Sequence, residues 1–434
     1  MNAWLEKQFK LSQNHTDVRT EVLAGITTFM TMAYIIFVNP GILSATGMPF
    51  GSLLVATCLG ASLATFLMAF LANYPFALAP GMGLNAFFAF TVVLGMKIPW
   101  QTALAAVFIE GVIFIVLTCT KVREQVVNSI PKTLKIGVSA GIGIFITFIG
   151  LQSAGLIVNN DAVLVGLSPL AHNIPGLLAL AGVLIMITLE TRHVTGGILI
   201  GIVIITLVGI PLGVTKMPQG LMSMPPSISP IFMKMDFSMI AKPEFWVIVL
   251  TFFFVDFFDT VGTLVGVASR ANMLDKNGNL PNASQALMSD AIGTTAGAVL
   301  GTSTVTTFVE SASGVEQGGR TGLTALVVAV LFLLAMFFSP IIAVVPACAT
   351  APALIMVGGY MMMGFKDMDY SDWTEFFPAI IAFFMMPFAY SIAAGIEFGI
   401  VSYVALKVLM GRGKEINWML YVLALLFILN RAFL

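Results

Sequence analysis

Apolar runs close to the length of a bilayer, one after another from Val22 onward, constrain this chain more than any other feature. Soluble domains do not build such runs in series, and a membrane-spanning helix needs about 20 predominantly apolar residues. A backbone in hydrocarbon has no water to bond, so only helices or a closed barrel can cross. The runs are continuous and do not alternate with period two, which selects helices. Composition agrees: 58% of residues are hydrophobic and 9% charged, against roughly 25% charged in soluble domains. The expectation is an all-α polytopic membrane protein.

The runs fall near 22–43, 50–72, 74–96, 100–120, 133–157, 174–190 and 195–212. A proline-rich connection follows at 213–243, and a second series runs near 244–268, 284–301, 302–316, 320–338, 344–364, 376–391 and 393–410. That makes about 14 elements in two sets of about seven, each near the length a span requires. An odd number per set gives the halves opposite orientation. Lys and Arg favour the cytoplasmic side of short loops. The N-terminal arm, residues 1–21, shares a side with Lys121, Arg123, Lys132, Lys135, Arg192, Arg270, Lys276, Arg412 and Lys414, so that side is expected to be cytoplasmic. Residues 158–173 and the 213–243 connection then lie outside. Lys216, Lys234 and Lys242 run against the trend, but long connections count less. The arm lacks an apolar signal-peptide core, so the first span is expected to drive insertion. The apolar end of the C-terminal tail (412–434), residues 417–434, is expected to lie in the membrane interface, with a further span as the alternative.

Several function classes drop out. Lys+Arg number 20 and Asp+Glu 21, so there is no basic stripe for nucleic acid. Cys58, Cys119 and Cys348 lie in separate apolar runs, and His15, His172 and His193 in connections, with no metal-ligand spacing. No metal, cofactor or disulfide framework is expected. No Walker, HExxH or GxSxG motif appears, which removes the usual signals of a primary pump or a membrane hydrolase. The Gly137–Gly143 run (GVSAGIG) lies within a span, where small residues let helices approach closely.

Two runs make poor continuous helices. Ala77–Phe90 (ALAPGMGLNAFFAF) is interrupted by Pro80 and glycines. Gly301–Gly322 (GTSTVTTFVESASGVEQGGRTG) is rich in hydroxyls, favours strand from Thr304 to Val309 and ends in glycines. They occupy corresponding places in the two sets, and paired broken segments in inverted halves point to a transporter binding site near the midplane. A charged side chain within a span costs about 2.5–3.5 kcal/mol on insertion scales and is functional by default. Asp256 and Asp259, three apart in TFFFVDFFDTVGT, share a helix face with Thr260 and Thr263. Glu310 is a third acid, and Asn85 an uncharged fourth polar group. Blander readings stand beside these: an ion pair or interhelix bond for the aspartates, a helix cap for Glu310 and an interhelix bond for Asn85. Glu110, in FIEGVIF, fits either packing or a proton relay.

TTFMTMAYIIFVNPGIL, ALAPGMGLNAFFAF, FFFVDFFDTVGTLVGV and GTSTVTTFVESASGVEQGGRTGLTA together resemble the AzgA-like purine permeases. These are the hypoxanthine/guanine/adenine branch of the nucleobase (xanthine/uracil) permease superfamily. The resemblance extends from about Thr16 to Gly411. It implies 14 segments in two inverted repeats of seven, 22–212 and 244–411, with short strands in segments three and ten. It implies a core domain (22–120 and 244–338) and a gate domain (133–212 and 344–411). It also implies proton symport with no other cofactor, and a homodimer formed through the gate domains. Carried over by motif, the acidic residue of segment eight falls on Asp256, that of segment ten on Glu310, and the polar residue of segment three on Asn85.

The chemistry of these side chains suits a purine independently. A carboxylate accepts N–H bonds in a fixed geometry, and charge-assisted bonds are the stronger kind. Free N–H groups at a half-helix start can meet ring acceptors. The expected substrate site is Asp256, Glu310 and Asn85 with Gly83, Thr307 and Phe308. Asp259, and then Asp256, is the expected proton carrier. Hypoxanthine and guanine present N1–H beside a carbonyl, which a carboxylate favours over the bare N1 of adenine; an adenine-preferring permease is the alternative. An ion channel would need filter loops or charged rings, and an intramembrane aspartyl protease would carry its acids on separate helices.

Overall fold

The computed structural model describes residues 3–120, 131–161, 163–218, 220–270, 273 and 280–433; Lys121, Arg123 and Lys276 lie outside the described residues. The N-terminal arm opens with α1 (Ala3–Phe9). Its Phe9 and Leu11 are fully buried against Ala69, Leu323 and Ala325. Asp17 starts the first membrane element by accepting the Thr20 N–H at 3.0 Å, a side-chain N-cap. α2 (Val18–Met32) and α3 (Ile35–Ser44) form one bent span. They join at Ala33–Tyr34, where the Ile36 and Phe37 N–H groups reach back three residues instead of four. α4 (Phe50–Leu67) runs on through a π turn to Ala72. Strand β1 (Leu78–Pro80) then leads into α5 (Met82–Ala86), which continues as a π-helix to Gly95.

α6 (Trp100–Thr120) and α7 (Lys132–Ser153) follow. A hairpin of β2 (Ile157–Asn160) and β3 (Leu164–Leu167) occupies the connection at 158–173, before α8 (Ile174–Thr191) and α9 (Gly197–Gly209). The second set is α10 (Pro243–Arg270), α11 (Ala283–Leu300), β4 (Val305–Thr307) with α12 (Ser311–Glu316), α13 (Gly322–Ala335), α14 (Ala347–Met362), α15 (Trp373–Phe388) and α16 (Ile392–Leu409). Among the described residues eight helices are long and apolar enough to cross a bilayer, Val18–Ser44 and Gly322–Ile342 being two, and shorter apolar helices stand between them. In both sets the third member is a strand followed by a short helix, as the broken runs suggested.

The helices pack in two groups. α2 to α6 lie with α10 to α13, and α7 to α9 lie with α14 to α16. Small residues set the closest approaches in the second group. Gly137 faces Ala379, Gly141 faces Phe383 and Met386, and Gly143 faces Gly358, so the glycine run of α7 is where α14 and α15 press against it. The 213–243 connection is tied across the ends of the first group: Ser52 Oγ donates to the Ser227 carbonyl, Met233 N–H to Val299 and Asp236 N–H to Gln101.

At the C-terminal end of α16 an ion cluster fastens the chain that follows. Lys407, fully buried, lies 2.8 Å from Glu415 and 3.2 Å from Glu375, and Arg412 reaches Asp372 at 2.7 Å. The tail forms α17 (Trp418–Phe433). Its Leu420, Ala424 and Phe427 are buried while Leu425 and Ile428 are exposed, a one-sided apolar seam.

Candidate substrate site at the crossed strands

β1 and β4 pair antiparallel, Leu78 opposite Thr307, Ala79 opposite Thr306 and Pro80 opposite Val305. Two strands alone are marginal in water, and in a bilayer every loose backbone group is expensive. Side chains of neighbouring helices close the edges. Thr65 Oγ1 serves both the N–H and the carbonyl of Leu78, Thr294 Oγ1 donates to the Val305 carbonyl, and the Ala77 N–H donates to Ser311 Oγ.

The hydroxyls of Gly301–Gly322 do the same work from the strand's side. Asn39 Nδ2 donates to Thr302 Oγ1 at 3.0 Å, Ser303 Oγ donates to Asn85 Oδ1, and Thr304 Oγ1 donates to Glu110 Oε2 at 2.9 Å. Thr306 Oγ1 meets Thr260 Oγ1 at 2.6 Å. Each hydroxyl thus anchors the broken segment to a different helix or half-helix. The stretch begins at Gly301, whose φ of +95° ends α11 in a left-handed turn and whose missing side chain leaves room for Ile231.

The acids separate into two environments. Asp256 is fully buried. Thr260 Oγ1 lies 3.2 Å from Asp256 Oδ1 and 3.1 Å from Asp290 Oδ1, so one hydroxyl joins two carboxylates to β4. Asp259 and Glu310, by contrast, are only partly buried. Three residues of helix rotate a side chain to about 60° from its starting direction, and Asp259 stands within electrostatic reach of both Asp290 and Glu310. It lies beside Gly81 at the entry to α5: a Cβ on Gly81 would sit 3.7 Å from Asp259 Oδ2. Glu310 occupies the cap position of α12, yet its side chain makes no cap bond. It accepts instead from the Tyr34 hydroxyl at 2.6 Å. Tyr34 and Phe308 stand with ring centres 6.5 Å apart. At the start of α5 the Met82, Gly83 and Leu84 N–H groups have no backbone acceptor among the described residues.

The expected site residues are therefore not all equivalent. The structure brings Asp259, Glu310, Phe308 and Tyr34 together around the crossing. Asp256 lies behind β4 with Asp290. Asn85 is fully buried, and its Oδ1 accepts from Ser303 in the connection between α11 and β4. Gly83 faces Ile142 of α7, where a Cβ would come within 2.6 Å, so its bareness serves a close approach between the two helix groups. Thr307 is on the same strand face as Val305, which packs toward Gly60 and Gly297, and its hydroxyl is buried with no hydrogen-bond partner among the described residues. Among the described residues no cluster of three or more His, Cys, Asp or Glu is arranged to hold a metal ion.

Two participants were missed. Tyr34 lies inside the quoted motif TTFMTMAYIIFVNP, but nothing local marks a tyrosine at a helix break as a ligand to an acid 276 positions away. Asp290 is a charged residue within the apolar run 284–301, and the criterion that selected Asp256 applies to it equally. From the second helix group, Glu190 and Tyr360 stand within electrostatic reach of Glu310 and Tyr34.

Comparison with known proteins places this geometry among transporters. A model described as "Permease family" matches residues 19–398. A putative permease of Methanocaldococcus jannaschii is 52% identical over 99% of both chains. An adenine permease of Escherichia coli is 45% identical, covering 98% of this chain and 96% of its own. A guanine/hypoxanthine permease of Bacillus subtilis is 43% identical, covering 98% and 99%. Among solved structures, the transmembrane domain of a cyanobacterial bicarbonate transporter aligns with TM-score 0.66 at 17% identity, covering 87% of this chain and 97% of that one. At that identity the likeness concerns the fold, a core and a gate domain.

Proposed function

The chain belongs to this permease family, matched over residues 19–398, and we propose that it imports purine nucleobases, hypoxanthine and guanine foremost, by proton symport with alternating access. It is a transporter and not an enzyme. The observation that carries the reading is the pair of partly buried carboxylates, Asp259 and Glu310, at a crossing of two strands fixed inside the membrane domain. Their oxygens accept the N–H edge of the base. Phe308 and Tyr34 offer rings for a planar ligand, and the N–H groups at the start of α5 meet its ring acceptors.

The coupling proton is assigned to the Asp256–Asp290 pair. Two like charges around one hydroxyl titrate as a unit and are relieved by a single proton. The packing supports this exchange of roles between Asp256 and Asp259: the residue enclosed by Thr260 and β4 cannot reach a ligand without opening the cluster. The group of α2 to α6 and α10 to α13 acts as the core that carries the site, and the group of α7 to α9 and α14 to α16 acts as the gate. The active form is a homodimer through the gate, with the N-terminal arm in the cytoplasm.

Uptake of labelled hypoxanthine into cells without purine permeases of their own tests the reading. Uptake is expected to fall with a proton uncoupler, to be competed by guanine and to be lost in Glu310→Gln and Asp259→Asn at equal protein levels. Uptake indifferent to the uncoupler refutes symport, and full activity in both variants refutes the site. Adenine as the preferred base has support of its own in the 45% identity to an adenine permease; competition stronger by adenine than by guanine decides for it.

A further inference from the structure

α10 passes a second cavity on its way to the central site. The cavity measures about 550 Å³ and lies on the side away from the N-terminal arm, where the α5 continuation ends, α10 begins and the chain turns from α15 into α16. One wall is aromatic. Phe87 and Phe90 line it with Tyr390, the Phe90 and Tyr390 rings meeting edge to face at 6.1 Å. The Tyr390 hydroxyl donates to Gln152 Oε1 at 2.9 Å, which fixes the ring. Polar side chains complete the lining: Glu244 from α10, Glu397 from α16 and Thr91. Thr91 is 6% exposed, and its hydroxyl has no hydrogen-bond partner among the described residues; Glu244 Oε2 is buried in the same condition. Buried polar atoms are normally satisfied, and the exceptions call for an explanation. Here both border one cavity.

The lining specifies the ligand. A bare metal ion would fill little of a cavity of about 550 Å³. A phosphate or carboxylate would meet two glutamates. A flat, neutral heterocycle with N–H groups on its edge meets all the features: rings to stack against, carboxylates to accept its N–H groups and a hydroxyl that can donate or accept. Clefts of some 300–1,000 Å³ are the usual size for small-molecule sites, so the cavity has room for a bicyclic base and its water. Glu244 in the cavity lining precedes Asp259 by 15 residues of α10, about 22 Å at 1.5 Å per residue, farther than one base can bridge.

We propose that this cavity is a second binding site for the purine base, a station that takes the base from water before it reaches Asp259 and Glu310. The proposal rests on the purine reading above, and the experiment separates the two. Full-length protein in lipid nanodiscs is dialysed against labelled hypoxanthine, and separately guanine and adenine, up to about 1 mM. Saturation is expected at about two equivalents of base per chain. Glu310→Gln is expected to lose one equivalent and keep the other. The pair Glu244→Gln with Glu397→Gln keeps the cavity's shape, and Ala393→Phe keeps its charges but fills it; each is expected to lose the equivalent that Glu310→Gln retains. If one of these unfolds on heating earlier than the parent, the other decides. A single equivalent, abolished by Glu310→Gln, overturns the second site and leaves the central one standing. No binding of any of the three bases overturns both. Two equivalents surviving in a folded cavity variant also overturns the proposal.

Discussion

Removing one hydroxyl tests the centre of the site more sharply than removing an acid. In Tyr34→Phe the ring stays beside Phe308 and only the donor to Glu310 Oε1, at 2.6 Å, is lost. Hydrogen bonds to charged groups contribute roughly 1.5–3 kcal/mol. Tyr34 is 1% exposed, so water does not readily replace its hydroxyl. The base itself can, because its N–H groups face the same carboxylate. That partial replacement places the net loss near the lower bound, about 1.5 kcal/mol, or about tenfold in affinity at 1.4 kcal/mol per decade. The assay is concentration-dependent uptake, normalised to protein in the membrane, together with equilibrium binding of the same base. KM and Kd are expected to rise together by about tenfold, because a lost orienting bond weakens ground-state binding. Affinities within about twofold of the parent would mean that Tyr34 does not orient Glu310 toward the base, and that this carboxylate faces something else.

Three further outcomes follow from the packing. Thr260→Val strips the hydroxyl shared by Asp256, Asp290 and Thr306; stability is expected to fall by about 3 kcal/mol, seen as a lower melting temperature in detergent, and an unchanged melt contradicts the hub. Glu21, fully buried, accepts from the N–H groups of Arg320, Thr321 and Thr324 and from the Thr324 hydroxyl, at the start of α13. Glu21→Ala leaves those donors unmet and is expected to cost about 2–3 kcal/mol, read by thermal unfolding, with no loss pointing to water in its place. The Arg412 and Lys407 bonds hold the Glu415 carboxyl down to about 2 from an ordinary 4.5, and the Thr374 hydroxyl, aided by Arg412, holds Asp372 well below the usual range. Depressed acids add stability above their unfolded values and lose it as pH falls through the folded ones. The link between α16 and the tail should therefore hold above pH 4.5 and loosen toward pH 2, followed by hydrogen exchange at residues 412–420; exchange that is flat across this window counts against the cluster as the fastener.

Sequence and structure divide this protein along a physical line. Apolar run length and the absence of water in hydrocarbon determined the helices, and an odd number per set determined their inversion. The two breaks were legible as well, because Pro80, the glycines and the hydroxyl-rich run around Val305 are local offences against a membrane helix. So were Asp256, Asp259 and Glu310, since each charged residue in a span is costly wherever it points, a criterion that reaches Asp290 as well. Direction was not legible. Asp256 and Asp259 share a helix face in sequence, and about 60° of rotation puts one in a closed cluster and the other beside the entry to α5. Glu310 reads equally well as a helix cap until Tyr34, 276 positions away, takes its oxygen. That Asn85 accepts from Ser303 and that Gly83 lies against Ile142 are likewise contacts no local pattern announces. A span's composition reports only the transfer of a side chain out of water. Which partner then satisfies it depends on contacts between segments far apart in the chain, and those exist only once the two strands have crossed.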